Sequence, residues 1–126
     1  MESCRWEPFV KASVERCPVS IEAAGTKPSK EIYQWLVQMK NDSIYDGKRL
    51  AQPDELANYN TGDGLEKALF LANIIRSKNP NQMVQITADK ETVVLKELDE
   101  YRFTSAKELQ KEILITADGT IKTEDR

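Results

Sequence analysis

The stretch "NYNTGDGLEKALFLANIIRSKNP", residues 58–80, reads as a polar loop running into a helix. Asp63 suits the helix N-cap, and Glu66, three residues on, completes a capping-box-like pair with Asp in place of Ser or Thr. Leu65, Ala68, Leu69, Ala72 and Ile75 form an apolar stripe at helical spacing. Phe70, Leu71 and Ile74 widen that stripe, so the helix is expected to be covered on most sides. Arg76 and Lys78 fall in its last turn, where cations oppose the negative helix end, and Pro80 stops it.

Working outward toward the N-terminus, the chain stays helical. "WEPFVKASVERC" places Trp6, Phe9, Val10 and Val14 near helical spacing and predicts a short helix at about 8–16, with Pro8 in its first turn. "VSIEAAGTKP" is read as a loop. Ser29 is expected to cap a helix over about 29–41, with Ile32, Trp35, Leu36 and Met39 at i, i+3, i+4 and i+7. After the turn-rich "NDSIYDGKRL", Pro53 with Asp54 and Glu55 fits the first turn of another short helix.

Beyond Pro80 the pattern changes to strands. "MVQITADKETVVLKEL" carries two β-branched runs around "ADK", a hairpin pattern. "YRFTS" reads as a short strand and "SAKELQKEI" as a short helix capped by Ser105. In "ILITADGTIKTE", Asp118-Gly119 between apolar runs is the best hairpin signal in the chain. The expected fold class is therefore α+β: helices in the N-terminal two-thirds packed on a small antiparallel C-terminal sheet, in a single domain spanning residues 1–126.

Composition narrows the functions available. The 18 basic and 21 acidic residues give a net charge of −3, which argues against a general nucleic-acid binder. No apolar run approaches the roughly 18 residues of a membrane span. "MESCRWEPFV" shows no signal peptide, which favours a cytoplasmic location. The chain has no histidine, so the commonest general base and metal ligand is missing, and neither a metal site nor a cofactor is expected. Cys4 and Cys17 are read as two reduced thiols, with one disulfide as the alternative.

The order of motifs resembles the core of the transglutaminase-like (papain-like cysteine protease) superfamily. That family places a tryptophan in a helix, then a Tyr-Asp turn, a short helix, and Gly-Asp-Cys opening a buried helix rich in Ala and Leu. A small sheet follows, carrying a histidine and then an aspartate. In "IYQWLVQMKNDSIYDGKRLAQPDELANYNTGDGLEKALFLANIIRSKNP", Trp35 matches the tryptophan and Tyr45-Asp46 the turn. Residues 52–57 match the short helix, and Gly62-Asp63 the Gly-Asp pair. The similarity covers about residues 30–98 and implies a transglutaminase-like core.

The departures from the family fall on its chemistry. Gly64 stands where the nucleophilic cysteine would be, and a glycine has nothing to attack with. The stretch expected to supply the histidine, "KETVVLKEL", has none, and "YRFTS" offers only the hydroxyls of Thr104 and Ser105, with Asp99 and Glu100 just before it. The resemblance thus implies a fold without its catalysis: a binding or structural module, part of or accessory to a larger protein, whose partner is a protein, peptide or carbohydrate.

The candidate ligand residues lining a residual cleft are Tyr45, Tyr59, Asp63, Gly64 and Glu66. The alternative from another class is a glycosidase-type hydrolase with Asp63 and Glu66 as its carboxylate pair. Helix capping accounts for both carboxylates without a site. Trp35 is read as core, Lys107, Lys111 and Lys122 as a solvated face, and an anion cradle at Gly62–Gly64 is disfavoured by the charge of Asp63.

Overall fold

A computed structural model describes residues 6–125. The helices are α1 (Trp6–Glu15), α2 (Pro18–Ala24), α3 (Ser29–Gln38), α4 (Pro53–Tyr59) and α5 (Gly64–Lys78). The strands are β1 (Val84–Asp89), β2 (Thr92–Lys96), β3 (Glu100–Thr104), β4 (Gln110–Ile115) and β5 (Ile121–Asp125). The strands form one antiparallel sheet in the order β3-β2-β1-β4-β5. The α+β arrangement with helices first and the sheet last is as expected.

Helix α5 is the centre of the molecule. Every residue from Gly64 to Ile75 is buried, because the sheet covers one side of the helix and α1 to α4 cover the rest. Its breadth of apolar surface, which no single stripe describes, is what makes a helix an interior element. The sheet presents Val84, Ile86, Ala88, Val93, Leu95, Tyr101, Phe103, Ile113 and Ile115 inward and mostly polar side chains outward, the alternation of a one-sided sheet. Among the described residues no helix is long and apolar enough to cross a membrane.

Three local expectations are corrected. The segment read as a loop after Cys17 contains α2, which has Pro18 in its first turn and ends at Gly25 with φ 60°. Asp54, on α4, accepts from the amides of Val19 and Ser20 and so caps α2 from a neighbouring helix, a long-range contact that no local pattern announces. Ser29 is the first residue of α3 and makes no cap; the N-cap position is Pro28, without a side-chain bond.

The third correction is "SAKELQKEI", which is a loop and then β4. Glu108 sits at φ 56°, outside any helix, and from Gln110 onward burial alternates with period two. Lys107 and Lys111 therefore do not share a solvated helix face. Both are buried: Lys107 bonds to loop carbonyls, and Lys111 pairs with Asp125 beneath the ring of Trp6. Lys122 is exposed, as expected. Trp35 is half-buried and meets Phe70 edge-on at 5.6 Å. Cys17 is a buried free thiol that donates to the Ala12 carbonyl and Gln52 Oε1; Cys4 lies outside the described residues. Burial pushes the Cys17 thiol up from its usual range.

Candidate functional site

The sequence directs attention to the N-terminus of α5, and the structure shows a joint there. Asp63 is the N-cap, and the capping box with Glu66 is complete. The Asp63 carboxylate accepts from the Leu65 amide at 3.0 Å, the Ser105 hydroxyl at 2.7 Å and the Ala106 amide at 2.8 Å. The Glu66 carboxylate accepts from the Asp63 amide at 2.8 Å, the Ser43 hydroxyl at 2.7 Å and the Ala51 amide at 2.6 Å. Asp63 thus ties the helix to the segment after β3, and Glu66 ties it to the loop between α3 and α4. Both are buried, and six donors serve their four oxygens, which offsets the cost of taking a carboxylate out of water.

Gly64 is set against β3. A Cβ built on it would lie 2.2 Å from the Thr104 carbonyl oxygen and 2.6 Å from the Thr104 carbonyl carbon. Backbone stands in the way, so no rotamer change makes room. Gly62 is also tight, with Leu56 Cδ1 at 2.5 Å, though there a side-chain end can give. Gly64 therefore serves close helix–strand approach, one of the uses only glycine fills.

The candidate residues separate into groups. Tyr45 and Asp63 share a shallow groove of about 190 Å³ with Ser43, Ala106 and Lys107. Lys107 closes one side by donating from Nζ to the carbonyls of Tyr45 at 3.0 Å and Gly47 at 2.7 Å. The Tyr45 hydroxyl donates to Glu55, which raises the phenol above its usual range, and the Arg49 guanidinium stacks 3.8 Å from the Tyr45 ring centre. Gly64 and Glu66 do not line that groove. Tyr59 is elsewhere, 65% exposed in the last turn of α4. Thr92 and Val94 lie on β2, paired with Thr104 and Arg102 of β3, and it is Thr104 of β3 that the Gly64 end of α5 meets. Among the described residues there is no cluster of three or more Cys, His, Asp and Glu side chains suited to a metal.

Two polar features were not anticipated. One is a buried seam among α1, α2, α4 and α5. In it Ser13 donates to Gln52, and Asn73 donates to the Cys17 carbonyl and Ser20 Oγ, while Asn73 Oδ1 has no partner among the described residues. The other is Lys67, buried in the body of α5. Its signal was present in the sequence: a lone lysine inside a helix apolar on nearly every side has no solvent face to occupy. The chain matches no known family model, no curated protein and no solved structure.

Proposed function

We propose that the chain is a non-catalytic α+β module, a transglutaminase-like layout kept without its nucleophile, that serves a binding or structural role beside another protein, a peptide or a carbohydrate. One observation carries this reading: the position where the family's nucleophile would stand is a glycine whose missing Cβ is replaced by the Thr104 backbone. The space that a thiol and its substrate would need is filled by the fold itself. The order of buried helix, then antiparallel sheet, is compatible with the same layout.

The carboxylate pair adds support. A general acid holds a proton to give and faces its substrate. Asp63 and Glu66 instead use their oxygens on six internal donors. The test is a substrate panel covering acyl transfer, peptide hydrolysis and chromogenic glycosides, run on the wild-type chain and on Asp63→Asn and Glu66→Gln. The expected result is no turnover above buffer. Turnover that either substitution abolishes, in a variant shown to be folded, would sink the non-catalytic reading.

A further inference from the structure

Helix α5 carries a buried cation with no counter-ion of its own. Lys67 is 2% exposed, and its Nζ donates to the Met39 carbonyl at 2.8 Å. Among the described residues it joins no ion pair, although five others are formed. The carboxylate that acts on it through space is Asp63, whose oxygens are already held by Leu65, Ser105 and Ala106. Burial accordingly lowers the amine below the usual lysine range, the direction expected when desolvation outweighs attraction. A buried charge left in this condition is costly, and a partner supplied from outside would relieve it.

The surroundings fit such a partner. Lys67 forms part of the wall of a groove of about 240 Å³ between the end of α3 and the outer edge of β3, together with Val37, Asn41, Arg102, Phe103 and Thr104. Among the described residues no carboxylate lines it. The Ser105 amide bonds to the Glu91 carbonyl, so in the β2–β3 ladder the odd-numbered residues of β3 face β2 and the peptide groups of Arg102 and Thr104 face outward. Tyr33 and Asn41 donate to those two outward carbonyls, while the Arg102 amide remains a donor on the same side. Arg102 also lines the groove, and its exposed guanidinium pairs with Glu100 at 2.9 Å, a contact weak enough to be exchanged for another anion.

We infer that this groove binds a small oxyanion, a carboxylate or a phosphate, with Lys67 in its wall supplying the buried charge and Arg102, also lining it, a second cation. The volume suits a compound of a few heavy atoms bearing that group, below the size of a typical drug-like pocket. The site lies one helical turn from the closed end of α5 and does not depend on the functional reading given there.

The test is an amide-resolved NMR titration of the full chain with sodium acetate and, separately, inorganic phosphate, each against sodium chloride at equal ionic strength. Saturable shifts at Val37, Arg102 and Phe103 are expected, with a rise of roughly 4 °C in the thermal midpoint at ten times Kd. Response to acetate alone assigns a carboxylate ligand, response to phosphate alone a phosphate ligand, and response to both an oxyanion site. Lys67→Met should weaken binding by about tenfold or more, and Arg102→Gln, an exposed change that leaves the fold intact, by about threefold. If Lys67→Met does not fold, Arg102→Gln decides the matter. Linear, unsaturable shifts with both anions, or affinity unchanged in every folded variant, would overturn the assignment.

Discussion

Asp63, the N-cap of α5, and Lys67, one turn into it, are both almost closed to solvent, and the fold treats them in opposite ways. The carboxylate receives three donors drawn from two segments, and beside it Glu66 receives three more. The amine receives one carbonyl. The contrast shows that burial alone does not mark a charged group as structural or functional. What separates the two is how completely the surrounding chain has answered the charge. An answered charge is a joint, and an unanswered one on the wall of a groove has capacity to spare for a ligand.

The largest expected effect breaks the joint. Asp63→Ala orphans the Leu65 amide, the Ser105 hydroxyl and the Ala106 amide at once. It should cost about 4 kcal/mol of unfolding free energy, read by urea titration with an unchanged slope. A loss below about 1 kcal/mol would mean that the three donors find water and that the joint is looser than its geometry. Gly64→Cys comes next. Its Cβ meets the Thr104 backbone, and a loss of about 3 kcal/mol is expected, with no gain of reactivity toward acyl substrates or thiol probes in the folded state. A stable, reactive Gly64→Cys chain would show that the helix end can open.

Lys67→Met probes the other side of the comparison and should act in the opposite direction. Removing a buried, unpaired charge while keeping the apolar stem should stabilise the chain by about 1 kcal/mol at neutral pH without added oxyanion. The pH dependence carries the same sign. The folded pKa of Lys67 lies below its unfolded value of 10.5, so in the window between them the unfolded chain binds more protons and stability rises with pH. Lys67→Met should remove that rise, checked by thermal denaturation from neutral pH toward pH 10. A profile unchanged by the substitution would place the amine's charge in a better-answered setting than the structure gives it.

The smallest effect belongs to the exposed turn before β5. Hydrogen bonding from the Thr116 side chain first, and then from the Thr120 amide, holds the Asp118 carboxyl down to about 2. Its contribution is present above the unfolded value of 3.8 and is lost as pH falls through about 2. Asp118→Asn should flatten the acid limb of the stability curve slightly, and a large change there would show that the turn matters more than its exposure suggests.

How much of this was legible in the sequence depends on the range of the interactions. The α5 capping box, the stripe that buries the helix and the Asp118-Gly119 turn are local, and each was readable from a few neighbouring residues. Helix α2 was not, because part of its N-terminal capping comes from Asp54, more than thirty residues away. The segment at 105–113 misled because Ser105 suits a helix cap, yet its hydroxyl is taken by Asp63. Asp63 and Glu66 were rightly singled out as capping residues, but the loops they fasten could not be named from spacing. Lys67 was readable in principle as a charge without a wet face, and the groove beside it was not, since it forms only where α3 meets the edge of β3.

That edge has a further consequence. A terminal strand offers its free peptide groups as a template on which another extended chain can lay down, the first step toward dimers and fibrils. On β3 the outward carbonyls of Arg102 and Thr104 are occupied by Tyr33 and Asn41, and the Gly64 contact sets α5 directly against Thr104, so an incoming strand finds those rungs taken. The opposite border, β5, is guarded by composition, with Lys122, Glu124 and Asp125 along a five-residue strand. The glycine that leaves no room for a nucleophile thus also helps to keep one copy of the chain from propagating its sheet into the next.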